Sequence, residues 1–461
     1  MRRASSRAAV AVLTGTAFFI SACGDSAQLP LSASFGPDPQ LPPPSVTLLP
    51  TINIAPAVGW HAGEQPTPAP GLAVTAFAMG LDHPRNIYVL PNGDVLVAET
   101  NAPPKPDDNP GLRGVIARLI MNHAGAGVPS PNRLVLLRDT HGGGAADMRS
   151  VFLEGLNSPY GIALIGDQLF VADTDAIRRY HYHPGQTHID EAGFVLTELP
   201  AGRINHHWTK NLVPSPDGRF VYVGIGSNSN VGENGLADEE GRARIWQVDV
   251  RTGAHRSYAT GLRNPNGLAF AEQPKPVLWT AVNERDGLGS DLVPDYMTAV
   301  RGNGFYGWPY SYFGQHIDTR PEPQRPDLVA TAIVPDYALG AHTASLGLAF
   351  AIPNTLPVPF SRGAFISQHG SWNRRPHSGY EVIFVPFLAG RPAGPPIEVL
   401  TGFLSPNDEA RGRPVGIAVD HDGSALVADD VGNCIWRISA SRNARAQIPM
   451  SVFGAKADVS Q

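Results

Sequence analysis

Seven short stretches of this chain carry imidazoles, guanidinium groups, amides and acids where a merely structural segment would not need them. INHHWTKNLVPSPDG holds His206, His207, Thr209 and Lys210, and GLRNPNGLAF holds Arg263, Asn264 and Asn266. VNERDGLGSDLVPDYM brings Glu284, Arg285, Asp286, Asp291 and Asp295, and GAHTASLG brings His342. HGSWNRRPHSGY adds His369, Trp372, Arg374 and Arg375, EARGRPVG adds Arg411 and Arg413, and HPRN adds Arg85. A neutral imidazole can take a proton near neutral pH. The planar fork of arginine can hold a carboxylate through two hydrogen bonds. One such arginine is usually a rim salt bridge of little energetic value. Several from separate segments, on a chain of net charge −6, are harder to explain as surface charge alone.

The elements that must position them recur six times. The copies read GLDHPRNIYVLPNGDVLVAET from Gly80, GLNSPYGIALIGDQLFVADT from Gly155 and KNLVPSPDGRFVYVGIGS from Lys210. They return as GLRNPNGLAFAEQPKPVLWTAVNE from Gly261, HTASLGLAFAIPNTLPVPFSRGAFISQHG from His342 and GRPVGIAVDHDGSALVADD from Gly412. Each reads as two short strands joined by an Asn-Gly, Asp-Gly or longer turn, and one such hairpin cannot bury its own apolar face. Copies lie roughly 50 to 80 residues apart, the spacing of four-stranded propeller blades with generous loops. The chain is therefore expected to be all-β, a six-bladed β-propeller of four-stranded antiparallel blades, with residues distant in sequence gathered by the loops of one rim. A hydrophobic content of 42% over 461 residues suits one large closed domain.

The N-terminus carries Arg2, Arg3 and Arg7 and then an apolar run over residues 8–20 that is too short to span a bilayer. It ends Ile20-Ser21-Ala22-Cys23, which resembles a bacterial lipobox. Residues 1–22 are thus expected to be a lipoprotein signal peptide and Cys23 the acylated first residue, with the protein on the periplasmic side. Gly24 favours the outer membrane. Residues 23–70, with LPPPSVTLLP and EQPTPAPG, are expected to form a Pro-rich extended tether, and 71–461 the globular body. Cys434 is then left without an intrachain partner and reads as a small buried apolar residue. The acidic net charge offers nothing to nucleic acid.

In order along the chain, HWTKNL with PSPDG and VGIGSNSN, LRNPNGLAF, NERDGLGSDLVPDY running into FYGWPY, HGSWNR and GRPVGIAVDHDG resemble the soluble glucose/sorbosone dehydrogenase family. These are six-bladed propellers that use pyrroloquinoline quinone and calcium, and the likeness is strongest to the sorbosone or pyranose dehydrogenase branch. The resemblance implies oxidation of an aldose or of a sugar aldehyde such as sorbosone, with hydride transfer to the quinone. It makes His207 the general base, by its distance from Ser215-Pro216-Asp217-Gly218. His206 is one residue out of phase, and side chains alternate on a strand. Arg263 would share the charge that develops on the quinone. Arg85, Lys210, Arg263, Asn264, Arg374, Arg411 and Arg413 would meet the cofactor's carboxylates, with His342 in contact and Trp372 against its ring. Which of Arg411 and Arg413 makes that contact is left open. Calcium would sit on main-chain carbonyls of Glu284 and Arg285, with Asp286 beside them, as a Lewis acid on the quinone oxygens. Asp291 and Asp295 read equally as a second ion site or as a solvated acidic loop.

Two departures concern the substrate. Asn266 stands where the glucose-type proteins have Gln, and HGSWNR replaces their lysine near the fifth repeat. No CxxCH haem motif is present, so an external quinone or cytochrome must accept the electrons. The alternatives are a calcium-dependent propeller lactonase and a non-catalytic carbohydrate-binding propeller. Neither gives the arginines a task.

Overall fold

Six antiparallel sheets form around one axis, each begun by one of the repeated hairpins. The computed structural model describes residues 24–47, 51–104, 123–271 and 275–445, so Cys23 and the signal segment lie outside the described residues. From the axis outward, blade 1 is Pro84–Val89, Val95–Glu99, Arg133–Arg138 and Met148–Leu153, and blade 2 is Gly161–Ile165, Gln168–Ala172, Ala176–His181 and Phe194–Glu198. Blade 3 is Leu212–Pro214, Phe220–Ile225, Arg244–Asp249 and His255–Thr260; blade 4 is Pro265–Ala271, Val277–Val282, Pro294–Ala299 and Tyr337–Ala341. Blade 5 is Ser345–Phe350, Gly363–Gln368, Glu381–Leu388 and Ile397–Thr401. Blade 6 takes Pro414–Val419, Ala425–Asp429 and Cys434–Ala440 from the C-terminal end and its outer strand, Leu72–Met79, from the N-terminal end. The two ends of the chain thus close the ring with one antiparallel pairing.

The six expected hairpins are the inner and second strands of the six blades. Their shared sequence also explains how the inner strands pack. Gly267 and Gly416 have room for no side chain, because a Cβ on either would stand 2.8 Å from the Leu346 or Arg85 carbonyl oxygen of the next blade. Gly161 and Gly347 face the Lys210 and Val415 carbonyls still more closely. Glycine at this one place lets neighbouring inner strands approach backbone to backbone. Between blades the apolar faces interlock. Val95 and Val97 of blade 1 pack with Leu426, Ala428 and Ile435 of blade 6, and Phe170 and Ala172 of blade 2 with Val221 and Val223 of blade 3. Each such buried side chain contributes about 1.5–3 kcal/mol.

Short strands widen three of the blades. Gly304–Phe305 adds in parallel to blade 3, Phe35–Gly36 to the edge of blade 4, and Thr67–Pro68 to the edge of blade 5. The last two belong to the segment expected as a tether, and here that expectation is corrected. The described part of residues 24–70 lies on the body, held by backbone hydrogen bonds such as Ser45 N to Leu288 O and Ala410 N to Pro56 O. Ala55 is fully buried, and Trp60 packs edge-on against Phe403 and Trp436. Proline-rich composition favoured an extended chain, and edge pairing plus a few apolar anchors fix it to the surface. Cys434 is buried as a free thiol beside Asp429, as its small apolar surroundings suggest. Among the described residues no helix is long and apolar enough to cross a membrane.

Candidate active site at one rim

Every inner strand starts, and every second strand ends, at the same rim. The residues before or at the start of the one and after the other therefore meet there: His207, Arg263, His342 and Arg413 on inner-strand approaches, Arg85 at the start of an inner strand, and Glu284, Asp286, His369 and Asp430 beyond second strands. Below the rim runs a channel of about 240 Å³ lined by inner-strand residues such as Ile162, Leu268 and Leu348. A hydrogen-bonded belt crosses its upper end. Asn86 Nδ2 donates to the Tyr160 carbonyl, Tyr160 Oη to Asn266 Oδ1, Asn266 Nδ2 to Thr209 Oγ1, and Asn211 Nδ2 to the Asn266 carbonyl. Charged side chains thus gather at the mouth, and among the described residues none lines the channel beneath it.

On one side of the mouth His207 sits in a turn. Its expected position in a strand is corrected, since the strand begins only at Leu212, so alternation does not separate His206 from His207. Their rings stand edge to face, 4.7 Å apart, and both are half-buried. What distinguishes His207 is its partner: Nδ1 lies 2.8 Å from the Ser227 carbonyl oxygen. A carbonyl only accepts, so Nδ1 carries a proton, and in the neutral ring the lone pair then lies on Nε2, the tautomer a general base needs. Lys210 is fully buried, and its ammonium donates to the Trp208 carbonyl at 3.0 Å, which pins the turn presenting His207. Asn264 lies alongside, since a Cβ on Gly226 would stand 2.5 Å from both Asn264 Oδ1 and His207 Cβ.

Next around the mouth, Arg263 is buried and spends its guanidinium on neighbours. Nη1 donates to the Glu284 carbonyl at 2.7 Å, Nη2 to Asn230 Oδ1 at 3.0 Å, and Asp286 stands 3.5 Å away. Asp286 also meets His342 Nδ1 at 3.3 Å and Asn373 Nδ2 at 2.8 Å. Burial opposes its ionisation, but His342 and Arg263 hold its pKa below the usual carboxylate value. His342 Nε2 is 2.8 Å from the Gly289 carbonyl oxygen, so both its ring nitrogens face acceptors. Burial alone would lower its pKa; Asp286 raises it instead.

Across the mouth Asp430 plays the same part. Arg85 Nη1 reaches it at 2.5 Å, His369 Nε2 at 2.9 Å, and His83 Nε2 lies 3.7 Å off. Burial works against the charge, yet His369, Arg85 and His83 hold Asp430 well below the ordinary carboxylate range. Burial pushes His369 down to about 4, against the pull of Asp430, so its ring is neutral at neutral pH. Arg85 lies over the Trp208 ring, 5.9 Å from its centre, which joins this cluster to the His207 turn. Arg413 stacks on Tyr380 at 4.9 Å.

The remaining expected residues fall elsewhere. Arg374 is buried but turned to the Ser290 and Pro376 carbonyls and toward Asp291. Arg411 pairs with Glu64 at 3.6 Å, which leaves Arg413 as the member of that pair at the mouth. Trp372 is 45% exposed, with its carbonyl accepting from Asn53 N. The Arg285 side chain runs to Asp318. The Glu284 and Asp286 carbonyls, expected to face calcium, accept from Arg263 and from Asn230, Arg285 and Arg320. Asp291 and Asp295 are not brought together. The first caps Gln28 N, and the second accepts from Glu284 N and Ser345 N. Asp430, Asn230, Asn373 and His83 were not singled out in advance. Aligning the repeats on their ends, VAET, VADT, AVNE and VADD, would have flagged an acid at or just beyond four of the six second strands.

Two observations bear on whether a carboxylated quinone and a divalent cation fit this mouth. Arg85 Nε and Arg413 Nε are buried without a hydrogen-bond partner, two guanidinium donors that an anion would satisfy. Burial pushes the Glu284 carboxyl up to about 8; Arg263 draws it down, and Asp295, Asp318 and Asp286 push it further up. A hard cation would relieve that crowding through the carboxylate oxygens.

The chain matches the TrAA12-like family model over residues 119–298 and 314–441. A relative from Borreliella burgdorferi, an uncharacterised protein, is 30% identical over 246 residues, 53% of this chain and 63% of the relative, so the match spans less than two thirds of that protein. The holo pyranose dehydrogenase PQQ domain of Coprinopsis cinerea has a TM-score of 0.66 at 20% identity, covering 84% of this chain and 100% of that one. The calcium structure of the Trichoderma reesei AA12 enzyme gives 0.65 at 17%, covering 86% and 100%. The PQQ-bound aldose sugar dehydrogenase of Streptomyces coelicolor gives 0.53 at 16%, covering 81% and 100%. At these identities the structural likeness is one of fold. The match to the family model, over more than half of the sequence, establishes that the chain belongs to the TrAA12-like family.

Proposed function

We propose that this protein is a pyrroloquinoline quinone- and calcium-dependent sugar dehydrogenase that oxidises an aldose or a sugar aldehyde of the sorbosone kind. The observation that carries the reading is the convergence of His207, Arg263, Arg85 and Arg413 on one mouth from four blade junctions, with guanidinium donors unspent. The named neighbours support it: one is a PQQ domain, one a PQQ-bound dehydrogenase and one a calcium structure. Lipid attachment through Cys23, on the periplasmic side, is part of the same proposal, as is electron transfer to an external quinone or cytochrome.

Arg85 and Arg413 would hold carboxylates of the cofactor, and Glu284 would lend oxygen to the cation. When bound, the quinone supplies the two-electron acceptor. His207 Nε2 removes the proton from the sugar hydroxyl, with Nδ1 anchored on the Ser227 carbonyl so that the ring keeps its orientation. Arg263, fixed by Asn230 and the Glu284 carbonyl, places positive charge beside the mouth where negative charge develops. Lys210 keeps the His207 turn from shifting.

The test is sugar-dependent reduction of an artificial acceptor by purified protein given calcium and the quinone. Activity that appears only with the quinone is expected. Lactone hydrolysis with calcium alone would indicate a hydrolase instead. His207→Ala should lower turnover by about 10²–10⁴-fold while quinone binding persists; equal loss of both would remove His207 from the role of base.

A further inference from the structure

The described chain starts at the mouth. Gly24 packs on Thr51, where a Cβ would stand 2.8 Å from the Thr51 Cα. Asp25 Oδ2 accepts from Ser290 N at 2.7 Å, and its carbonyl accepts from Ser290 Oγ at 3.0 Å. Ser290 follows Gly289, whose carbonyl meets His342. Two residues and two hydrogen bonds therefore connect Asp25, at the start of the described chain, to an imidazole of the site. Around that point stand large apolar side chains that the fold leaves in water: Val46 at 75% exposure, Ile52 at 40% and Trp372 at 45%. Ser45 Oγ bonds Asp25, Thr51 Oγ1 bonds the Asp25 carbonyl, and Asn53 N bonds the Trp372 carbonyl, so Val46 and Ile52 each adjoin in sequence a residue that holds Asp25, and Trp372 is bonded to the residue after Ile52.

We propose that this patch lies on a lipid surface, so that the site-bearing rim faces the membrane and the opposite rim faces away from it. The inference rests on the reading of Cys23 as a lipid-bearing residue, and deepens it by adding an orientation. The next residue along the chain is Gly24, so acyl chains on Cys23 would enter the bilayer beside Val46, Ile52 and Trp372. One acyl chain gives only marginal binding, and a second contact of apolar side chains turns a tether into a docked face. Tryptophan suits the boundary, with an apolar body and a polar N–H. Aliphatic side chains are exposed at the opposite rim too, Leu388 and Val358 among them, and the described C-terminal end lies there beyond Ala440, but the end that adjoins Cys23 does not.

The full-length chain, recovered from membranes and placed in phosphatidylethanolamine/phosphatidylglycerol vesicles bearing a headgroup quencher, tests the orientation. A fluorophore is attached in one variant at Val46→Cys and in another at Leu388→Cys. Quenching several-fold stronger at position 46 is expected, and Ile52→Asp should weaken it. Equal quenching at the two positions, or stronger quenching at 388, overturns the proposal, as does a protein that stays in solution with neither label quenched. Mass spectrometry of the N-terminal peptide reports the lipid on Cys23 separately. Quinone-dependent sugar oxidation, measured on the same vesicles, reports the dehydrogenase reading separately again, because neither labelled position lies in the site.

Discussion

Asp286 and Asp430 stand on two sides of one mouth, each between a guanidinium and an imidazole, yet the two imidazoles are shifted in opposite directions. Around Asp286 the contacts are looser, 3.5 Å to Arg263 and 3.3 Å to His342, and the second nitrogen of His342 meets a carbonyl. Around Asp430 they are tighter, 2.5 Å to Arg85 and 2.9 Å to His369. A ring with acceptors at both nitrogens is satisfied only when doubly protonated; a ring whose single carboxylate is already neutralised by arginine stays neutral. The same three residue types thus shift the two imidazoles in opposite directions, His342 up beside Asp286 and His369 down through burial. Around His342 burial is outweighed by the pull of Asp286, helped by the Gly289 carbonyl; around His369 burial outweighs Asp430.

Removing each acid should separate the clusters most strongly. Asp430→Asn leaves Arg85 and two histidines around a neutral amide and should destabilise by about 3–5 kcal/mol. Asp286→Asn should cost only about 1–3 kcal/mol, because Arg263 keeps its carbonyl and amide acceptors. Denaturant midpoints check the order, and a larger loss for Asp286→Asn would break the comparison. Acid should then find the neutral imidazole. His369 has a folded-state pKa of about 4 against an ordinary 6.5, so the folded protein binds fewer protons than the unfolded chain between those values. Its contribution is complete above about pH 6.5 and is lost as pH falls toward 4, by at most about 3 kcal/mol. Melting temperatures across that range should fall less steeply in His369→Gln. Smallest is the belt under both clusters: Tyr160→Phe leaves Asn266 Oδ1 without its donor and should cost about 1 kcal/mol in the same denaturant titration.

Much of the ring was legible because each inner hairpin states its own turn and alternation, as in LPNGDVLVAE and VDHDGSALVAD. The outer strand of blade 6 was not, since Leu72–Met79 pairs with a partner at the far end of the chain and no local pattern records that. The docked course of residues 24–70 was hidden for a related reason: Ala55 and Trp60 become anchors only when Arg413, Phe403 and Asp429 are already in place. At the site, residue types and their order gave His207, Arg263, His342, Arg85 and Arg413. They could not tell which arginines turn away, because Arg374 and Arg411 are diverted by Ser290, Pro376 and Glu64 from other segments. Nor could they reveal that the carbonyls after Val282 are already occupied by guanidinium groups.

The shared sixth blade makes the molecule indivisible. Losing the last described strand, Cys434–Ala440, would strand Leu72–Met79 without a partner and uncover Asp429 and Trp60, from which Trp436 is removed. A chain cut short by a few dozen residues therefore forfeits both the clasp and the arginine at its threshold, and a nascent copy gains its working mouth only when synthesis is almost over.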